Sequence, residues 1–335
     1  MDILIKSFNR PYYLDRCLFS IQNYLKGFDG KIVVLDDGTP AKYLERIVAK
    51  YPNVTIRKSE FYKEKSEVIA LKEPIAVKKI PIRLWLDAAR DTSDYFLLLE
   101  DDIWFTSAVD YPYLKVFVSQ QKIEMVKLFW LGNEKLISGH ETKKDNGLVL
   151  YRPEIFTRNP FAYRLIFKMT RFKIRQIMTL LGLYSSEKNL QYYSVYSVAG
   201  AVFHKDYFLR LWEGHDNQVD EKLQIWNALK FLNKNPQCKF GRTEKEVLKT
   251  GFATSATNFY KDYDTKVDMF EVNFVLNEAW YSGEFDTTVA LFEDLSEDSI
   301  IYFLEKSPIA SKTVEWKKWS TRFKEQYETI GCKID

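Results

Sequence analysis

Glu100, Asp101 and Asp102 follow the apolar run 95–99 (YFLLL) directly and precede Ile103, Trp104 and Phe105. Three successive carboxylates in apolar surroundings are costly unless a cation compensates them. A hard divalent ion, Mg²⁺ or Mn²⁺, takes oxygen ligands and keeps positions open for water or phosphate. A capped helix start or a solvated turn is the plainer alternative. Asp36 and Asp37 end a second apolar run, 31–35 (KIVVL), and lead into Gly38-Thr39-Pro40. Asp-Gly and Thr-Pro form turns, and a carboxylate at a strand end can also accept hydrogen bonds from a nucleoside base or ribose. The third cluster, Ser7, Phe8, Asn9 and Arg10, follows Ile3-Leu4-Ile5 and precedes Pro11. The planar guanidinium fork of Arg10 suits a phosphate clamp. Brought to one edge, the three clusters favour a nucleotide-diphosphate site.

The elements around them predict such an edge. Tyr13, Leu14, Cys17, Leu18, Ile21 and Leu25 recur at helical spacing after the first run, and Pro11 sits where a helix begins. Further helices are expected over 43–50 and 75–90, and strands over 31–35, 54–56 and 95–99. Buried strands alternating with helices predict an α/β fold with a mostly parallel central sheet flanked by helices, and a mixed or helical C-terminal addition. In such sheets ligands sit beyond the carboxyl ends of the strands, where the three clusters fall. Downstream, 125–131, 148–151 and 197–203 read as strands, and 205 onward and 218–232 as helices.

Composition narrows the classes. Of 335 residues 46% are hydrophobic and 28% charged, an ordinary globular balance, and 49 basic against 46 acidic residues leave +3. That charge argues against a nucleic-acid partner. No apolar run reaches the ~18 residues of a membrane span, and the opening MDILIKSFNRPYYL lacks the features of a secretion signal. Cys17, Cys238 and Cys332 are widely spaced with no CxxC, so a cytoplasmic setting is expected. Aromatic residues at 16% suit a carbohydrate or nucleotide binder as well as a core.

The segment 155–186 holds six basic residues (Arg158, Arg164, Lys168, Arg171, Lys173 and Arg175) and no acid. Read as one helix, Arg164, Lys168, Arg171 and Arg175 share a stripe, with Leu165, Ile166, Met169, Ile177 and Leu180 largely away from it. A basic amphipathic helix over 158–181 predicts peripheral contact with an anionic membrane surface, against packing on the core or on a second subunit.

ILIKSFNRPYYLDRCLFSI, IVVLDDGTP and YFLLLEDDIWF together resemble the amino-terminal half of GT-A fold glycosyltransferases, above all the family-2-like group. The resemblance covers about residues 1–105. It implies a nucleotide-diphosphate sugar donor bound by Ser7, Asn9, Arg10, Asp36, Asp37, Glu100 and Asp101. It also implies Mn²⁺ or Mg²⁺ on Asp102, aided by Glu100, at the family's DXD position. In the second half, SVAGAVFHKDYF followed by HDNQVDEKLQIW is similar to the family's arrangement for the base. Gly200 would let the sugar approach, and Asp220 or Glu221 would deprotonate the acceptor hydroxyl, with Asp216 a third candidate. Lys78, Lys79 and Arg83 fall where the family has basic residues over the diphosphate, and 254–258 could form a lid.

The implied organisation is a catalytic domain over 1–260, with a donor half 1–105 and an acceptor half 106–260, and a helical extension over 261–335. The implied reaction is inverting transfer from a donor such as a UDP-sugar to a glycan or lipid-linked acceptor, in bacterial surface glycan synthesis. This chain departs from the group in having Ile5-Lys6 before the first motif, and in lacking both Gln-x-x-Arg-Trp and a clear late histidine ligand. A sugar-nucleotide pyrophosphorylase fits the same sheet and metal but lacks its glycine-rich basic loop here. A non-catalytic binding scaffold is the other reading.

Overall fold

The β-branched and leucine-rich runs of the first hundred residues form four strands: β1 (Asp2–Ser7), β2 (Ile32–Asp36), β3 (Val54–Lys58) and β4 (Tyr95–Glu100). All four pair in parallel, with β1 between β2 and β4. The register sets Ser7 beside Asp36 and Lys6 beside Glu100. The polar tips of three separate runs therefore end level. Between the strands lie α1 (Pro11–Tyr24), α2 (Ala41–Lys50), α3 (Tyr62–Ala70) and α4 (Ile82–Arg90). Proline occupies the first turn of α1, where its missing N–H costs nothing. This computed structural model describes residues 1–72, 79–169, 173–185, 187–257 and 263–334.

Five more strands extend the sheet: β5 (Ile123–Lys127), β6 (Gly139–Asp145), β7 (Leu148–Pro153), β8 (Ala201–His204) and β9 (Lys239–Thr243). The strand order is β3-β2-β1-β4-β8-β5-β9-β7-β6. β8 runs antiparallel to β4 and β5, and β7 antiparallel to β9 and β6, while β9 is parallel to β5. Only β7 and β8 thus oppose the common direction, so the expected mostly parallel α/β sheet is the one observed.

Alternate residues of each strand feed two apolar layers, as the pleat requires. Ile3, Ile5, Val34, Leu97 and Leu99 face one, and Leu4, Val33, Leu35, Phe96 and Leu98 the other. The second layer includes residues of α4, α6 (Lys205–Leu211) and α7 (Glu221–Lys234). The first includes α1 and α5 (Tyr111–Gln121). It also takes in three late helices, α8 (Met269–Ser282), α9 (Glu297–Glu305) and α10 (Thr313–Glu328).

Polar contacts tie the C-terminal region to α1 and to the loop around Ala253 as well. Tyr12 donates to Asn273 at 2.8 Å, Arg16 donates to the carbonyls of Thr287 and Val289, and Trp316 donates to Ala253. Among the described residues no helix is long and apolar enough to cross a membrane.

One expectation changes. The 155–186 segment is not one amphipathic helix. A turn of helix, Pro160–Tyr163, widens over Arg164–Lys168 and stops, and a separate short helix covers Ile174–Leu180. Ile166 and Phe167 are buried, and Arg164 and Lys168 lie over the Trp226 ring of α7. The basic stripe is therefore interrupted; Arg171 lies outside the described residues. The polar segment GHETKKD, which shows no apolar alternation, is a strand at the sheet edge, held by pairing with β7 alone.

Candidate active site

Beyond the level ends of β1, β2 and β4, backbone pairing runs on into the loops. Asp101 N–H donates to Lys6 O at 2.9 Å, Asp37 N–H to Ser7 O at 3.1 Å, and Ser59 N–H to Asp36 O at 3.0 Å. Asn9 is left-handed, with φ +53, a conformation that asparagine adopts more readily than most residues. Its N–H donates to Thr39 Oγ1, which in turn donates to Asp36 Oδ2 at 2.6 Å. From α8, Asn277 donates to both the carbonyl and the side-chain oxygen of Asn9. On the other side of the acids, Ile103–Phe105 pairs with Leu248–Thr250, and Gly251 N–H donates to Asp102 O. Three loops are thereby locked to one another.

The charges are matched inside the chain. Lys6 pairs with Glu100 at 2.6 Å, while Arg10 reaches Asp101 at 2.5 Å and Asp102 at 2.7 Å. Asp101 also accepts from Phe8 N–H at 3.0 Å. Arg10, expected as a phosphate clamp, is instead the buried counter-ion of the acidic turn. Breaking such a buried pair costs far more than its formation gains.

Burial pushes the Asp101 carboxyl up to about 7 against the pull of Arg10. It pushes Asp102 up as well. Burial opposes the Arg10 charge too, but Asp101 and Asp102 outweigh it and raise its pKa. At Glu100 burial acts upward, and Lys6 overcomes it so that the net shift is downward.

Asp36 is fully buried and accepts from Gly38 N–H, Thr39 N–H and the Thr39 hydroxyl. Burial outweighs these hydrogen bonds and pushes it up to about 6. Its oxygens hold the turn and so do not face a nucleoside. Asp37 does line the open space, but its carboxylate is paired with Lys65 and accepts from Ser59 at 2.6 Å.

A cavity of about 140 Å³ opens on this rim, lined by Lys6, Ser7, Phe8, Arg10, Leu35, Asp37, Ile80, Pro81, Trp85, Glu100, Asp101, Ala256 and Thr257. Larger hollows, from about 220 to about 580 Å³, lie elsewhere and touch none of the strand-end acids. The smaller one is the candidate because the aligned strand ends supply its polar wall. Sequence reasoning missed Trp85, whose ring lies 4.7 Å from Lys6 Nζ and packs edge-on against Trp212. A tryptophan on a helix face carries no signal beyond core packing until the neighbouring strand end is known. Ala256 and Thr257, from the stretch expected as a lid, reach the cavity; Asn258 lies outside the described residues.

The remaining expected residues divide. Arg83 does not line the cavity: its side chain is 83% exposed and pairs with Asp87 along α4. Gly200 is left-handed, with φ +67, and a Cβ there would meet the Phe129 Cβ at 2.7 Å. Phe129 packs closely on the side of Gly200 that a Cβ would occupy. Asp220 caps α7 by accepting from Leu223 N–H at 2.9 Å, and its other oxygen accepts from Lys168 at 3.2 Å. Burial acts upward on it, and these partners outweigh burial and lower its pKa. Glu221 is exposed and accepts from the Tyr193 hydroxyl at 2.9 Å.

A tyrosine layer joins the two sides. Burial raises Tyr196, with Glu221 and Glu100 both adding to the shift, and Tyr196 donates to Gln224 at 2.5 Å. Tyr327 of α10 is pushed up to about 12 by burial, with smaller contributions from Tyr263, Asp102, Glu100 and Glu221. The strand-end acids and Glu221 therefore act on the same phenols.

For a divalent ion the fit rests on Asp102, whose Oδ1 is buried with no hydrogen-bond partner. Two cations face three carboxylates, so the cluster is one charge negative when all three are ionised, a setting that favours a further cation. Among the described residues no group of three or more His, Cys, Asp or Glu side chains is placed to hold a metal by itself. Any ion here would need substrate oxygens as well.

No protein-family model and no curated protein matches the chain. Solved structures do. A galactosyltransferase, LgtC, in complex with donor and acceptor sugar analogues is 14% identical, with 68% of this chain and 70% of that chain covered, at a TM-score of 0.31. Residues 1–349 of S. aureus TarS in complex with UDP-GlcNAc are 13% identical over 98% and 91%, at 0.32. Glucosyl-3-phosphoglycerate synthase from Mycobacterium tuberculosis, with Mn²⁺, UDP and phosphoglyceric acid, is 12% identical over 84% and 78%, at 0.40.

Proposed function

We propose that the chain is a GT-A type glycosyltransferase that moves a sugar from a nucleotide diphosphate, a UDP-sugar, to a hydroxyl of a glycan or lipid-linked acceptor. The observation that carries this reading is the level alignment of three acid-bearing strand ends around a cavity that also presents Trp85 and Lys6. The donor half is 1–105. Trp85 offers a flat apolar face for the base or sugar. Asp37 and Ser7 supply acceptors and donors to the nucleoside.

Asp102, with Glu100, would hold a Mn²⁺ or Mg²⁺ ion, which supplies Lewis-acid stabilisation of the departing diphosphate when bound. On the acceptor side Glu221 is the base. Asp220 has both oxygens engaged, whereas Glu221 is held by one phenol and is free to accept a proton from an incoming hydroxyl. Direct displacement by an acceptor hydroxyl with Glu221 as base would invert the anomeric centre.

Calorimetry with UDP, with and without Mn²⁺, tests the donor site. Binding strengthened by the ion supports the transferase, and no binding in either condition supports a scaffold. Formation of nucleoside triphosphate and sugar 1-phosphate with pyrophosphate would assign a pyrophosphorylase instead.

A further inference from the structure

The short helix Ile174–Leu180 buries none of its residues. Ile177, Leu180, Leu181 and Leu183 are 53%, 87%, 65% and 54% exposed, a run of large apolar side chains presented to water. This is not a frayed segment, because both of its roots are anchored. Phe167 on the way out and Tyr184 on the way back are buried, with ring centroids 5.6 Å apart, and Phe156 packs on Tyr184 at the same distance. The aromatic roots hold an apolar tip away from the core.

The charge around the tip has one sign. Every charged residue between 155 and 186 is basic. Lys168 is engaged by Asp220 and lies with Arg164 over Trp226, whereas Lys173 and Arg175 stand exposed beside the tip. A second copy seated on this face would bring like charges together. An anionic lipid surface answers both features at once, since it accepts apolar side chains beneath a layer of phosphates.

We propose that residues 173–183 form a docking finger that enters the interfacial layer of an anionic bilayer, with Ile177, Leu180, Leu181 and Leu183 inserted and Lys173 and Arg175 against lipid phosphates. The proposal stands apart from the sugar-transfer reading. If both hold, the finger sets the acceptor side of the site toward the membrane, because Lys168 at its root bonds Asp220 beside Glu221.

Sedimentation of the full chain with vesicles of phosphatidylcholine alone, or of phosphatidylcholine with phosphatidylglycerol, tests it. Binding is expected only to the anionic vesicles. Leu180→Asp with Leu181→Asp should weaken it by about tenfold per leucine, and Lys173→Glu with Arg175→Glu by about fivefold or more per charge. The second loss should shrink in high salt. Both double variants lie on exposed positions, and unchanged melting and UDP affinity would separate lost docking from lost folding or a failed donor site. Absence of vesicle binding, equal binding to neutral vesicles, or binding unaffected by either variant would overturn the proposal. So would concentration-dependent dimerisation that Leu180→Asp abolishes, which would give the face to a second copy.

Discussion

At the ends of β1, β2 and β4 each acid is held by another part of the chain: Glu100 by Lys6, Asp101 and Asp102 by Arg10, Asp37 by Lys65 and Asp36 by its own turn. At the start of α7 the acids stand near solvent, Asp220 touching Lys168 and Glu221 a single phenol. The difference follows from dielectric surroundings. A buried carboxylate must be neutralised or hydrogen-bonded within the fold, so the strand-end acids are tied to partners within the chain. An exposed carboxylate is solvated by water, keeps its ordinary mobility and can exchange protons with whatever enters. On the proposed reading the first region binds the donor and the second takes the acceptor's proton.

The sharpest way to break this contrast is to remove one cation from each region. Arg10→Met leaves Asp101 and Asp102 buried without their partner and should cost about 3–5 kcal/mol in urea unfolding. Lys168→Met removes the partner of a half-exposed Asp220 and should cost less than about 1 kcal/mol. Equal losses would show that the two regions do not differ as described. Glu221→Gln addresses the chemistry. Transfer should fall by about 10²-fold or more while UDP affinity and melting temperature hold, and near-normal turnover would remove Glu221 as the base.

In pH dependence the two regions should tilt in opposite directions. Asp36 has its pKa raised from 3.8 to about 6. Between those values the unfolded chain ionises while the native state keeps its proton, so native stability falls as pH rises. Asp36→Asn removes that titration. Its stability relative to the parent should therefore improve by roughly 1–3 kcal/mol between about pH 4 and 6. Asp220 has its pKa lowered, so its contribution is present above the unfolded value and lost as pH falls; Asp220→Asn should tilt the other way. A constant offset for Asp36→Asn across this window would refute the buried, uncompensated carboxyl.

Legibility tracked how local each signal was. The runs KIVVL and YFLLLE announced β2 and β4 because strands buried on both faces are continuously apolar. GHETKKD gave no such sign, since an edge strand owes its form to pairing and not to burial. The segment 155–186 misled because helical periodicity was projected across a break, while Ile166 and Phe167 turned into the core. Trp85 and Asn277 looked like ordinary helix residues; only packing against β1 and the loop after it gives them a site to serve.

By itself the sequence determined which strand ends bear the acids, because a buried run must stop where carboxylates begin. It also determined that 155–186 would carry one sign of charge. Tertiary structure alone decided what each acid meets. Arg10 lies 92 residues from Asp102 and Asn9 lies 268 from Asn277, separations over which no local pattern operates. Whether a carboxylate is paired, caps a helix or stays free depends on the cation or N–H that folding brings within hydrogen-bond reach.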